Sequence, residues 1–124
     1  MLALLNKLMG GSSDSKNLSV GQTKELLSSF QQNKTAHILL DVRGPDEFRS
    51  GYIDGALNIP VSDLTSRLKE IETHKLNPVV VYCRSGGRSS MAAQILAANG
   101  FANVSNVTGG MIDWTNAGFL VKTR

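Results

Sequence analysis

Residues 79–90 read VVVYCRSGGRSS. The only cysteine of the chain, Cys83, is followed within five residues by Arg84, Ser85, Gly86, Gly87 and Arg88. A thiol in a field of fixed positive charge ionises more readily, and its thiolate is the nucleophile. Glycines allow positive φ and close backbone approach. A tight loop entering a helix aims several N–H groups at one spot and forms an anion nest, to which the helix dipole adds. Arg84 and Arg88 contribute two permanent charges. The same field would attract an anionic substrate and hold its leaving group. A core cysteine gains nothing from a cationic, glycine-rich surround, so a reactive thiol is the reading these residues favour.

Two reaction types use such a cradle: phosphate-ester hydrolysis through a phosphocysteine, and transfer of a sulfane sulfur through a cysteine persulfide. Cys83 and Arg88 enclose four residues. The cradle of cysteine phosphatases encloses one more, which suits a tetrahedral phosphate, whereas a shorter loop suits a single sulfur atom. An alkoxide leaving from phosphorus usually needs a general acid, while sulfite leaves thiosulfate unprotonated. No general acid stands in the loop, although one could come from elsewhere, Asp113 included. Three readings follow: a sulfurtransferase, a cysteine phosphatase or arsenate reductase, and a non-enzymatic sulfur carrier or regulatory module. Loop length favours the first over the second. The presence of Cys83 with both arginines argues against a dead domain.

The rest of the chain must position this loop. Its 124 residues suit one domain with a real core. A hydrophobic fraction of 41% and a charged fraction of 19% are ordinary for a globular protein. A net charge of +3, scattered except at the two loop arginines, is too weak to imply nucleic acid and fits a small anionic substrate. A single cysteine makes no internal disulfide and suits a reducing, cytoplasmic setting. No apolar stretch has the length of a membrane span. Residues 1–17 read as a short leader with a flexible GGSSDS linker. Its apolar part is interrupted by Lys7 and has no basic n-region, so export through it is the minor reading.

The domain proper is expected over 18–124, as alternating strands and helices. LSVGQTKELLSSFQQN predicts a brief extended piece and then a helix with Leu26, Leu27 and Phe30 at helical spacing. AHILLDV predicts a buried strand ending near Asp41. GPDEFRSG predicts a short helix with Pro45 at its first position and Gly51 as its stop. GALNIP is a short strand. VSDLTSRLKEIE is a helix with Leu64, Leu68 and Ile71 on one face. NPVVVYC is the strongest strand. RSSMAAQILAANG is a helix with Met91, Ile95 and Ala98 on one face, stopped by Gly100. ANVSNV is another strand, and GGMIDWTNAG a last helix with Met111 and Trp114 facing inward. Such alternation implies an α/β fold with a parallel sheet and helices on both faces. Ligands then bind at the carboxyl ends of the strands, where Cys83 falls.

Four stretches, LLDVRGPDEFRSGYIDGALNIP, LTSRL, VVVYCRSGGRSSMAAQIL and VTGGMIDWTNAGFLV, occur in an order that resembles the single-domain rhodanese, or thiosulfate sulfurtransferase-like, family. The resemblance covers nearly all of 18–121. It implies a rhodanese-like fold with a small, mostly parallel sheet of about five strands. It implies that Cys83 is the sulfur-accepting nucleophile and that Arg84 and Arg88 bind the anionic donor. The amides of Ser85, Gly86 and Gly87 would cradle the persulfide. Arg88 closing the loop resembles the thiosulfate-type loop rather than the mercaptopyruvate type. The mechanism would be ping-pong: the Cys83 thiolate takes the outer sulfur of thiosulfate, sulfite leaves, and a thiophilic acceptor then removes the sulfur. That acceptor is cyanide in assays and a thiol or sulfur-carrier protein in cells. No metal or organic cofactor is needed, and the protein is expected as a monomer or weak dimer.

Tyr52 departs from the histidine the family often has there; it keeps a hydrogen-bonding tip in what reads as a structural motif. Asp41 and Arg43 could organise the cysteine loop from a neighbouring strand end, but an ion-pair network with Glu47 is the favoured reading. Arg67 reads as a surface or helix-packing residue and Trp114 as core. His37 and His74 have no neighbour at metal-ligand spacing.

Overall fold

The computed structural model describes residues 15–124. The leader and most of the linker lie outside the described residues. Strand β1 (Lys16–Leu18) already pairs with a later strand, so ordered structure starts two residues before the expected domain start.

Helix α1 (Val20–Asn33) opens on a capping box. The Ser19 hydroxyl accepts from the Gln22 amide at 3.1 Å, and the Gln22 side chain accepts from the Ser19 amide at 2.9 Å. Strand β2 (Ile38–Asp41) leads to α2 (Pro45–Ser50), which starts on its proline as the sequence implies. Strand β3 (Leu57–Asn58) precedes α3 (Val61–Arg67). The helix expected to run on from there instead tightens at Leu68 into a 3₁₀ segment, Leu68–His74. The change sits at Arg67, whose φ of −114° and ψ of 12° leave α geometry. Leu64 and Ile71 are nevertheless both fully buried, and Leu68 packs half-buried beside them. Arg67 forks onto Glu70 at the surface.

Strand β4 (Val79–Tyr82) is buried throughout, as an uncharged β-branched run must be when both faces of a sheet are covered. Helix α4 (Gly87–Ala98) follows, then β5 (Val104–Val107) and α5 (Gly110–Asn116). The five strands form one sheet in the order β1-β5-β4-β2-β3, every pair parallel.

Strand alternation divides the core into two layers. Leu40, Val79, Val81, Cys83 and Val104 face α3, the 3₁₀ segment and α4. Leu39, Val80, Tyr82 and Val107 face Phe30 of α1 and Met111 and Trp114 of α5. The expected inward face of α5 is therefore correct. The face of α4 differs from expectation: Ala92, Ala93, Leu96 and Ala97 are buried, while Met91 is 58% exposed and Ala98 is exposed. Alanines carry little hydrophobic signal, but their small side chains let the helix backbone lie close to the sheet, and that fit decides which stripe turns inward.

The sheet order contains a reversal. From β2 the chain moves outward to β3, and from β4 it moves the other way to β5. The carboxyl ends of β2 and β4 therefore flank a topological switch point, where open α/β sheets form their ligand crevices. The register pairs Asp41 with Tyr82 across those two ends.

Tyr82 is fully buried, and its hydroxyl oxygen accepts the Ile53 amide at 3.1 Å. Tyr82→Phe leaves that buried N–H without an acceptor and should cost about 1–3 kcal/mol of stability in urea unfolding. An unchanged midpoint would show that the amide finds another partner.

Candidate active site

β4 delivers Cys83 to the switch point with 1% of its surface exposed. The chain then turns through Arg84, Ser85 and Gly86 into α4. Gly86 makes the turn at φ 110°, and a Cβ there would stand 2.3 Å from the carbonyl oxygen of Thr108. Only glycine satisfies both the dihedral and the contact. Gly87 has a negative φ and open space around its Cβ position. Of the two glycines expected to supply positive φ, one does.

The first turn of α5 fixes the other side of the loop. The Met111 amide donates to the Cys83 carbonyl at 2.9 Å and the Ile112 amide to the Arg84 carbonyl at 3.1 Å. These bonds require the backbone of Gly110 to lie against the loop. At φ 56°, a Cβ on Gly110 would sit 2.5 Å from the same two carbonyl oxygens. With the carbonyls turned toward α5, the following amides point back at the sulfur. The Gly86 amide donates to Sγ at 3.1 Å and the Ser89 amide at 3.3 Å. The Ser89 side chain is fully buried, with its Oγ 3.4 Å from Sγ and 3.2 Å from the Gly86 carbonyl oxygen. Beside a protonated thiol it accepts from sulfur and donates to the carbonyl, and beside a thiolate the hydroxyl turns to donate to the sulfur. Burial opposes ionisation of Cys83. The Ser89 hydroxyl and the amides of Ser89, Gly86 and Ser85 outweigh it and hold the thiol below its ordinary pKa.

Of the three amides expected around the sulfur, that of Gly86 is hydrogen-bonded to it. Gly87 opens α4, and its amide makes no hydrogen bond to the sulfur. Ser89 is the residue that sequence reasoning misses. Its signal was a hydroxyl one position past Arg88, in the first turn of the predicted helix.

The two loop arginines are not equivalent. Arg84 is exposed and has no ion-pair partner among the described residues. Arg88 forks onto Glu47 of α2 through Nη1 and Nη2 at 2.8 and 2.9 Å. That fork, aided by the Gly44 amide, holds the Glu47 carboxyl down at about 2 against the opposing effect of burial.

The expected network of Asp41, Arg43 and Glu47 is thus split. Arg43 clamps buried Asp41 through Nη2 at 2.6 Å and Nε at 3.0 and 3.1 Å, and also donates to the Gly51 carbonyl at 2.6 Å. Asn58, unremarked in the sequence, bridges the Asp41 and Arg43 carbonyls at 3.0 and 2.9 Å. This pair braces the β2 end beside β4, and Glu47 belongs to the cysteine loop instead. Tyr52 stacks on Phe48 with ring centroids 4.4 Å apart, and its backbone bridges to Lys122, a structural position as expected.

A cleft of about 400 Å³ borders the loop, with Arg84, Glu47, Met111, Ile112, Thr115 and Val121 in its wall. A buried thiol whose ionisation is favoured by amides, beside a guanidinium with no ion-pair partner among the described residues and an open cleft, is placed to attack an anionic electrophile as its thiolate and to hold the product on its sulfur.

The sequence profile of the rhodanese-like domain matches residues 22–117. A putative mitochondrial thiosulfate sulfurtransferase of Schizosaccharomyces pombe is 35% identical over 114 residues, covering 82% of this chain and 80% of that protein. An uncharacterized protein of Bacillus subtilis, YqhL, is 49% identical over 76 residues; the match spans 61% of this chain and only 59% of the relative. The crystal structure of a rhodanese-related protein from Thermoplasma volcanium superposes with a TM-score of 0.74 at 29% identity, covering 88% of this chain and 99% of that one. Profile, relatives and the parallel five-stranded sheet agree, and the chain belongs to the rhodanese-like domain family.

Proposed function

We propose that the protein is a sulfurtransferase that carries a sulfane sulfur on Cys83. The observation that carries this reading is the sulfur itself: buried, yet approached by the Gly86 amide of the loop and the amide and hydroxyl of Ser89 just beyond it, which hold it below its ordinary pKa. The Cys83 thiolate attacks the outer sulfur of thiosulfate or a related donor. A new S–S bond forms, the donor's own S–S bond breaks, and sulfite leaves with the electron pair. The persulfide inherits the negative charge and the amides of Ser85, Gly86 and Ser89. A thiophilic acceptor, cyanide in an assay or a thiol or sulfur-carrier protein in a cell, then takes the outer sulfur and restores the thiolate. Arg84 attracts the anion, and Arg88 braces the loop through Glu47 while lending its remaining N–H groups to the site. Asp41 and Arg43 support the loop from the end of β2 without touching the sulfur.

The short loop supports sulfur over phosphorus. The S. pombe relative's name, a putative thiosulfate sulfurtransferase, supports the same choice. No helix among the described residues is long and apolar enough to cross a membrane. We take the protein to act on a small soluble donor in a reducing compartment, as a monomer or weak dimer.

Intact-mass measurement after thiosulfate treatment should show a gain of one sulfur atom, lost on adding cyanide and absent from Cys83→Ser. Aryl-phosphate hydrolysis that depends on Cys83, with no sulfur adduct, would instead establish a phosphatase. Arg84→Ala should lower kcat/KM for thiosulfate on the order of tenfold, because a charge-assisted contact to the donor is lost. Steady-state thiocyanate formation checks this. Unchanged kinetics would mean that the loop amides alone hold the donor.

A further inference from the structure

The charges around Cys83 are unevenly committed. Asp41 holds Arg43, and Glu47 holds Arg88 through both terminal nitrogens. With Cys83 ionised, three anionic groups face three guanidiniums, and Arg84 alone of those cations lacks an ion-pair partner among the described residues. Among the described residues, Arg43, Glu47 and Arg84 are the charged side chains in the wall of the adjoining cleft. Its remaining wall includes the side chains of Met111, Ile112 and Val121. Ile112 is 39% exposed, and its amide holds the Arg84 carbonyl, so this apolar wall adjoins the start of the cysteine loop.

With the thiolate counted the set is neutral, so a dianionic donor adds two uncompensated charges and a monoanionic donor one. Arg84 is the cation of the set left without an ion-pair partner among the described residues to meet either. A compact donor leaves the cleft to water, whereas an organic group on the donor covers its apolar wall. We infer that Glu47 sets the donor's charge: by occupying Arg88 it makes the site selective for a singly charged sulfane donor bearing an organic group, an organothiosulfonate R–SO₂–S⁻, over dianionic thiosulfate. This rests on the sulfurtransferase reading and specifies its donor class. In the step, the Cys83 thiolate attacks the outer sulfur and a new S–S bond forms. The S–S bond of the donor breaks, and the sulfinate R–SO₂⁻ leaves with the electron pair. One thiolate and one monoanion become one persulfide anion and one monoanion.

The test compares persulfide loading rates of the full chain with benzenethiosulfonate and with thiosulfate. Wild type, Glu47→Gln and Ile112→Ser are measured with both donors, and each variant's donor ratio is divided by that of wild type, so intrinsic donor reactivity cancels. Glu47→Gln keeps a hydrogen bond to Arg88 while removing the charge. It should shift the ratio toward thiosulfate on the order of tenfold at low salt and less at high salt. Ile112→Ser should slow benzenethiosulfonate loading roughly threefold or more beyond any slowing of thiosulfate loading, so that the donor ratio shifts toward thiosulfate. A Glu47→Gln ratio equal to that of wild type, or shifted toward benzenethiosulfonate, overturns the inference. If Glu47→Gln does not melt cooperatively, Ile112→Ser decides, and equal loss with both donors overturns it. Loading of wild type by neither donor would remove the sulfurtransferase reading itself, a result distinct from loading without selectivity.

Discussion

Peptide N–H groups aimed at a buried sulfur favour its charged form here. Cys83 is 99% removed from water, which by itself would leave a neutral thiol. The amides of Gly86 and Ser89 at 3.1 and 3.3 Å oppose that penalty and, with the Ser89 hydroxyl, outweigh it in direction. In a dry site such bonds are stronger than in water, and they require no rearrangement when a negative charge moves from the sulfur of cysteine to that of a persulfide. The rest of the structure works to keep these amides pointing inward. Gly86 turns the chain against Thr108, α4 contributes its first-turn amides, and α5 pulls the Cys83 and Arg84 carbonyls the opposite way. The loop is therefore held from three sides by backbone, with side chains adding to it.

The ion pairs divide structural from chemical work. Asp41 and Arg43 join the end of β2 to the Gly51 carbonyl after α2, and Asn58 ties in β3. This fastens one side of the switch point. Glu47 and Arg88 link α2 to α4 across the other. Both pairs neutralise charge as they brace, and Arg84, in the cleft wall, is left without an ion-pair partner among the described residues. Electrostatic character at the site thus follows from which arginine the scaffold has already engaged, more than from the number of arginines in the loop.

Much of this was legible in the sequence. The β-branched run ending in Cys83, Pro45 and Gly51 around α2, and the inward Met111 and Trp114 carry local signals strong enough to place β4, α2 and α5. The thiol, its glycine-rich loop and its arginines are contiguous in the chain, so the site could be located from one stretch. What escaped depends on long-range contacts. The buried face of α4 follows from how closely alanines approach the sheet, which composition does not report. Gly110 is required by carbonyls on a different element, and Gly87, identical in type to Gly86, is under no such constraint. The partner of Arg88 lies 41 positions away, so its pairing with Glu47 appears only once α2 and α4 are packed. Ser89 sat in view, but its role depends on the helix starting at Gly87 and turning its hydroxyl back toward the sulfur.

The central claim is that loop amides and the Ser89 hydroxyl stabilise the thiolate of a buried cysteine. The pH dependence of Cys83 alkylation by iodoacetamide measures this directly, because the rate follows the thiolate fraction. A depressed pKa means that the rate reaches its plateau at lower pH than for a free cysteine, whose midpoint is about 8.5. The account predicts a midpoint clearly below that value, moved upward in Ser89→Ala with a slower rate at neutrality. A midpoint at or above the free-cysteine value, unmoved by Ser89→Ala, would contradict it.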